Sequence, residues 1–116
     1  MNILILEDDR SRQQIFARNL IGTNPVIVAT ASDAIQKLSE HDWDYLFLDH
    51  DLGGQQIVES GPGTGYEVAE WLAENPDCQP PHIIIHSFNP SGAENMKRAL
   101  PNATVAPGCW TDISLS

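Results

Sequence analysis

Three short apolar runs, each followed at once by polar side chains, constrain this chain more than any other feature. Runs of this length are typical of strands that are buried on both faces of a sheet. In an open parallel sheet, ligands bind beyond the carboxyl ends of the strands, so we expect the polar residues to meet there. Carboxylates that lie close together repel one another unless a positive charge sits among them, which indicates a divalent cation and phosphate chemistry. The runs and their polar successors are Ile3–Leu6 with Glu7, Asp8 and Asp9, Tyr45–Leu48 with Asp49, His50 and Asp51, and residues 83–85 with His86 and Ser87.

Length and charge limit the classes of function. The 116 residues suit one domain, residues 1–116, that buries its own core. Sixteen acidic against six basic residues give a net charge of -10, which disfavours non-specific binding to DNA or RNA backbones. A small phosphate held through a metal is compatible with this charge. No apolar run approaches the roughly 20 residues of a membrane span and no secretory signal is visible, so we expect no membrane association and a cytoplasmic location.

Strand and helix signals alternate along the chain, which predicts an α/β fold with a parallel sheet. A long polar stretch, residues 50–63, separates the third strand from its helix. Ser32 is the predicted N-cap of the second helix, and capping boxes that begin at Thr64 and Ser91 predict the starts of the third and fourth. Strands are predicted at about residues 2–6, 25–29, 45–49, 83–85 and 104–106, and the first and third helices at about 10–21 and 65–74.

This layout resembles the response-regulator receiver domain of bacterial phosphorelays from Met1 to about Ala106. Glu7 and Asp8 match its acidic pair, Asp49 its phosphoacceptor, and Ser87 its hydroxyl residue after the fourth strand. Gly65 suits the glycine that opens the third helix. The resemblance implies a flavodoxin-like, doubly wound parallel five-stranded sheet in the order 2-1-3-4-5, with the final helix shortened or absent. It also implies a magnesium pocket and phosphorelay signalling.

The chain departs from the receiver pattern in ways that bear on chemistry. The lysine expected after the fifth strand is missing, and Lys37 and Lys97 both lie on predicted helices. The loop after Asp49 is extended, and His50 and His86 flank the predicted pocket. This combination looks like a divergent receiver branch that has been proposed to process cyclic phosphates.

The acidic residues are the predicted metal ligands. Carboxylates, a backbone carbonyl and waters form the oxygen shell that Mg²⁺ prefers, and Mn²⁺ is a second possibility. Some of these acids can instead cap helices or lie at the solvent. The predicted ligands are Glu7, Asp8, Asp49 and the backbone carbonyl of Asp51.

Four residues are predicted to act in catalysis. Asp49 is either a nucleophile toward a phosphoryl group or only a metal ligand. Ser87 hydrogen-bonds either a phosphoryl oxygen or nearby backbone. His50 and His86 can serve as general acid and base or as ligands of a transition metal, provided that they face the pocket, because side chains alternate along a strand.

Three functions remain open at this point. The first is a stand-alone receiver that accepts or handles a phosphoryl group at Asp49, with a phosphodonor as its partner. The second is a small metal-dependent phosphoesterase that acts through His50 and His86 on cyclic or terminal phosphates, including RNA ends. The third is a pseudo-receiver that only binds proteins. The shortened C-terminus predicts a thinly covered sheet face, closed either by Trp110, Ile113 and Leu115 or by a partner protein or second copy.

Overall fold

The sheet has five parallel strands in the order β2-β1-β3-β4-β5, which confirms the predicted flavodoxin-like, doubly wound fold. The structure, a computed structural model, describes residues 1–20, 22–52 and 58–109. The strands are β1 Ile3–Leu6, β2 Val26–Val28, β3 Tyr45–Leu48, β4 His82–Ile85 and β5 Thr104–Val105. Within the described ranges the α-helices are α1 Arg10–Asn19, α2 Ala31–Glu40, α3 Gly65–Glu74 and α4 Pro90–Ala99. A short 3₁₀ turn, Pro76–Cys78, follows α3.

The register of the central strands aligns their carboxyl ends. Leu6 of β1 pairs with Leu48 of β3, which pairs in turn with Ile85 of β4. The first residue after each of these strands therefore lies in the same row at one edge of the sheet.

Alternation along the strands divides the core into two layers. On one face, Leu4, Leu6 and their neighbours pack against α2, α3 and α4. On the other face, Ile3, Ile5 and Phe47 pack against Phe16 of α1. A residue at the carboxyl edge of the sheet is directed to one layer or the other by the same period of two.

Two of the predicted helix caps are wrong. Thr30, not Ser32, is the N-cap of α2, and it accepts from Asp33 N at 3.1 Å. Asn89, not Ser91, is the N-cap of α4, because Pro90 occupies the first helical position, where its missing N–H is not needed. Thr64 caps α3 as predicted.

The face that carries α1 is thinly covered within the described ranges, since α2, α3 and α4 all pack on the opposite layer. Between β5 and Pro107–Gly108 the described residues contain no α-helix. The predicted covering residues Trp110, Ile113 and Leu115 lie outside the described residues. No helix in the described part of the chain is both long and apolar enough to cross a membrane.

Candidate metal and phosphoryl site

Glu7, Asp49 and His86 converge at the carboxyl edge of the sheet, on the side of α1. Each is the first residue after its strand, so the register places them in one row. Their ligand atoms all lie within 4.8 Å of one another. All three side chains are buried, with exposed fractions of 0%, 4% and 0%. We call these three residues the carboxylate–histidine cluster.

Glu7 is held by four hydrogen bonds. Its Oε1 accepts from Arg12 Nε at 2.9 Å and from His86 Nε2 at 3.1 Å. Its Oε2 accepts from Arg12 Nη2 at 3.1 Å and from Asp9 N at 3.0 Å. Since a carboxylate offers about four lone-pair sites, these bonds occupy its full accepting capacity. The acceptor-only carboxylate also fixes the proton of His86 on Nε2.

Arg12 is the residue of this site that the sequence analysis missed, because it matches none of the receiver motif positions. Its Nη2 lies 3.7 Å from Asp49 Oδ2, so it supplies a positive charge beside the predicted phosphoacceptor. Lys97, by contrast, donates to the carbonyl oxygens of Pro101 and Ala103. The available signal was position: Arg12 lies in the first turn of α1, and helical side chains point back toward the N-terminus.

The charges of Glu7 and His86 are set by burial and by each other. Burial alone raises the pKa of Glu7, but hydrogen bonds from His86, Arg12 and Asp9 outweigh it and lower that pKa from 4.5 to about 2. Burial lowers the pKa of His86, against the opposing pull of Glu7. Near neutral pH the pair is therefore an ionised Glu7 beside a neutral imidazole that donates from Nε2.

Asp49 is in the opposite situation. Burial, and then the negative charge of Glu7, raise the pKa of Asp49 from 3.8 to about 8, although Arg12 opposes the shift. Arg12 opposes it only partly because its guanidinium is bonded more closely to Glu7. Asp49 Oδ1 accepts from His50 N at 2.9 Å, whereas Oδ2 has no hydrogen-bond partner among the described residues.

The cluster fits a divalent cation. Asp49 Oδ2 is buried and accepts no hydrogen bond from the described residues, and Asp49 offers a carboxylate oxygen within 4.8 Å of ligand atoms of Glu7 and His86. Two carboxylates suit Mg²⁺ or Mn²⁺, and the imidazole favours the transition metal. Because donors from Arg12, His86 and Asp9 fill the accepting capacity of Glu7, metal ligation by Glu7 requires at least one of these hydrogen bonds to open, and ligation by His86 Nε2 requires that nitrogen to give up its proton.

Asp8 and Ser87 lie beside the cluster. Asp8 is half-buried, its charge contributes to the raised pKa of Asp49, and it lines a cavity of about 530 Å³ together with Thr30 and Glu67. Ser87 is buried, and its Oγ accepts from Asn89 N at 3.0 Å, so the backbone contact weighed in the sequence is present. The hydroxyl hydrogen of Ser87 remains a donor for a phosphoryl oxygen.

His50 and Asp51 form a separate group on the α4 side of the sheet. His50 follows Asp49, so alternation turns its ring to the opposite layer, where Nδ1 lies 2.8 Å from Asp51 Oδ1. The side chain of Asp51 is thus directed at His50, while the ligand role predicted for its carbonyl stays a prediction. Of the two histidines, only His86 joins the carboxylate–histidine cluster.

Two glycines permit this close packing. A Cβ on Gly65 would lie 1.7 Å from the carbonyl oxygen of Asp49, and one on Gly92 would lie 2.5 Å from His50 Cγ. Gly65 N also donates to His50 O at 2.9 Å. The start of α3 is therefore placed directly against the backbone that carries Asp49.

The fold and the acidic row define a response-regulator receiver domain. A phosphorylated cyanobacterial phytochrome response regulator, RcpA, superposes with a TM-score of 0.72 at 16% identity, covering 90% of this chain and 79% of that one. The Mn²⁺-bound response regulator Rcp1 superposes with a TM-score of 0.66 at 18% identity, covering 90% of this chain and 79% of that one. The regulator TrrA of Thermotoga maritima, solved with Mg²⁺ and beryllofluoride, gives 0.66 at 17% identity, with coverage of 92% and 87%.

Within this class, the chain belongs to the family of cyclic-phosphate processing receiver domains, whose description matches residues 2–102. The chain is also 30% identical over 80 residues to a hydroxyacylglutathione hydrolase of Pseudomonas syringae pv. syringae. That alignment covers 66% of this chain and 31% of the hydrolase, so the matching region spans about a third of that relative.

Proposed function

We propose that this receiver domain binds a divalent cation, Mg²⁺ or Mn²⁺, at the carboxylate–histidine cluster and accepts or handles a phosphoryl group at Asp49. The observation that carries the proposal is Asp49 Oδ2, a buried oxygen that accepts no hydrogen bond from the described residues and lies 3.7 Å from the Arg12 guanidinium. The metal-bound and phosphorylated receivers of the same fold support it.

The cation would be held by Asp49, Glu7 and His86, with Asp8 nearby. When bound, it lowers the pKa of Asp49 and neutralises charge on the transferring phosphoryl oxygens. A carboxylate with a pKa of about 8 is mostly protonated at neutral pH and is then a poor nucleophile, so its ionisation is the step that the cluster must favour.

Arg12 supplies the positive charge that a lysine after the fifth strand provides in the receiver pattern. Its guanidinium is charged at every physiological pH and offers five donors in a planar fork that matches phosphate oxygens. From its place beside Asp49 Oδ2 it can neutralise negative charge that develops on a phosphoryl group there. Ser87 would donate to another phosphoryl oxygen.

The experiment is intact-protein mass spectrometry after incubation with acetyl phosphate and Mg²⁺ or Mn²⁺. We expect a gain of about 80 Da, one phosphoryl group, that is absent from Asp49→Asn and forms more slowly in Arg12→Gln. Asp77→Asn, at an exposed carboxylate, is the matched control. No adduct under conditions in which the metal demonstrably binds would exclude Asp49 as a phosphoacceptor.

A second candidate is a phosphoesterase that opens cyclic phosphates or removes terminal ones, including those on RNA ends. The family description supports it, as does His86, a buried imidazole within the cluster that donates to Glu7. In the phosphoesterase, His86 would act as a metal ligand or as a proton donor. Metal-dependent turnover of a 2′,3′-cyclic nucleotide that His86→Ala abolishes would favour this function, and absence of turnover would oppose it.

We also propose a phosphodonor or a small phosphate-containing substrate as the direct partner. A cavity of about 530 Å³, lined by Asp8, Thr30 and Glu67, lies at this edge of the sheet, and we propose it as the entrance for such a molecule. A protein partner or a second copy of the chain at the α1 face remains a proposal, and sedimentation velocity with and without acetyl phosphate tests it.

A further inference from the structure

We infer that the chain carries a second reactive site, in which Ser60 is a nucleophile activated by His50 and Asp51, with an uncharged carboxylic ester as its class of substrate. The site lies on the α4 side of the sheet and uses none of the residues of the carboxylate–histidine cluster. It rests on a continuous chain of hydrogen bonds from a carboxylate through an imidazole to a serine hydroxyl.

The chain of hydrogen bonds has the polarity that nucleophile activation needs. Asp51 Oδ1 lies 2.8 Å from His50 Nδ1, and His50 Nε2 lies 2.8 Å from Ser60 Oγ. An ionised Asp51 accepts only, so it places the imidazole proton on Nδ1 and leaves Nε2 as the acceptor of the Ser60 hydroxyl proton. The same order of acid, imidazole and hydroxyl is the working arrangement of serine hydrolases.

The surrounding residues fix each member in place. His50 is fully buried, with its ring against Gly92 of α4. Asn89 Nδ2 donates to Asp51 Oδ1 at 3.0 Å and to Val58 O at 2.9 Å, so both of its amide hydrogens orient the acid and its loop.

Ser60 is oriented from its other side by Asn95. Asn95 Nδ2 donates to Ser60 Oγ at 2.9 Å, while Arg98 donates to the amide oxygen of the same residue and thereby fixes its orientation. Since Asn95 supplies a donor, the Ser60 hydroxyl hydrogen is left for His50.

Ser60 lies at a cavity as well as within the hydrogen-bond network. Ser60 is half-buried and lines a cavity of about 500 Å³ between residues 58–60 and the start of α4. Among the described lining residues Glu59 alone is charged, so these residues offer no cation to a phosphate or carboxylate and suit a neutral substrate.

The proposed reaction balances with water as the co-reactant. Ser60 Oγ bonds to the ester carbonyl carbon while its proton passes to His50 Nε2. The carbon–oxygen bond to the alcohol then breaks, and the alcohol leaves with that proton. Water repeats the two transfers, releasing a carboxylic acid and restoring the Ser60 hydroxyl.

The test is the rate at which diisopropyl fluorophosphate labels the whole chain in EDTA, with the adduct located by peptide mapping. This probe forms an oxygen–phosphorus bond and releases fluoride. Ser39 is an internal reference, because its hydroxyl is exposed and donates only to Gln36 O at 2.7 Å. We expect Ser60 to react about a hundredfold or more faster than Ser39 in the folded wild-type chain.

Variants separate activation from mere access. Asp51→Asn should slow the labelling of Ser60 by about a hundredfold. Ser60→Ala should abolish both the Ser60 adduct and the hydrolysis of p-nitrophenyl acetate. Ser39→Ala should change neither the labelling of Ser60 nor that hydrolysis. Circular dichroism confirms that each variant is folded. If Ser60 and Ser39 of the wild-type chain are labelled at equal rates, the hydrogen bonds around Ser60 only satisfy the buried His50. That result would overturn the proposal without any variant. A folded Asp51→Asn with unchanged labelling would also overturn it.

Discussion

Replacing Asp49 with Asn should stabilise the metal-free protein, and more so as the pH rises. The pKa of Asp49 is raised from 3.8 to about 8 by burial and by Glu7, so the folded state holds a proton that the unfolded state loses. Below pH 3.8 both states are protonated and the group contributes nothing. Between pH 3.8 and about pH 8 the unfolded state binds fewer protons, and stability falls as the pH rises.

The magnitude follows from the two pKa values. One pKa unit corresponds to about 1.4 kcal/mol. Keeping Asp49 protonated in the folded state therefore lowers the free energy of unfolding by about 2 kcal/mol at pH 5 and by about 4 kcal/mol at pH 7. Asn has no such cost, and its amide oxygen can still accept from His50 N. Its amide nitrogen, facing Arg12, offsets part of the gain. We expect a net stabilisation of about 2–4 kcal/mol at pH 7.

The assay is urea unfolding in EDTA at pH 5 and pH 8, with Asp77→Asn as a control that changes the net charge equally at an exposed position. The difference between Asp49→Asn and wild type should widen from pH 5 to pH 8, whereas the control difference should not. Added Mn²⁺ should stabilise wild type more than Asp49→Asn. A variant that is less stable than wild type, or a difference that is the same at both pH values, would refute the reasoning.

Three further predictions concern the same edge of the sheet. Glu7→Gln should lower the free energy of unfolding by about 3 kcal/mol at pH 7, because folding lowers the pKa of Glu7 from 4.5 to about 2. The stabilisation by Glu7 is present above pH 4.5 and is lost toward pH 2. Urea unfolding curves of the variant and the wild type should therefore converge in acid. Arg12→Gln should bind Mn²⁺ more tightly, by about tenfold by calorimetry, since Arg12 occupies two of the accepting sites of Glu7; an unchanged or weaker affinity would contradict this competition. Gly92→Ala should lower the free energy of unfolding by about 1–3 kcal/mol, because its Cβ would lie 2.5 Å from His50 Cγ. Gly61→Ala, whose Cβ would meet nothing within 4 Å, should change that free energy little. Equal urea midpoints for the two variants would argue against the close packing of His50 on α4.

Much of the fold was predictable from local pattern. The apolar runs, the alternation of strands with helices and the polar strand ends were sufficient to place five parallel strands and to gather Glu7 and Asp49 at one edge. The helix starts were less predictable, because several Ser, Thr and Asn residues within three positions can each cap a helix. Thr30 and Asn89 were selected by backbone geometry that the sequence does not display.

The direction of His50 was open in the sequence and was decided by the sheet. Its neighbour Asp49 faces α1, so the period of two sends His50 to α4, where a glycine leaves room for its ring. His86, in register with Asp49, faces Glu7 instead. Two histidines that looked equivalent in the sequence therefore belong to different sites.

By itself the sequence determined the class of fold, the acidic row and the absence of a lysine after the fifth strand, because these depend on residue type and short-range spacing. Only the tertiary structure decided that Arg12 supplies the positive charge beside Asp49 and that Ser60 meets His50. Both contacts depend on where a helix or a loop returns to the edge of the sheet. The raised pKa of Asp49 has the same origin, since burial and the neighbouring charge of Glu7 exist only once the strands are paired.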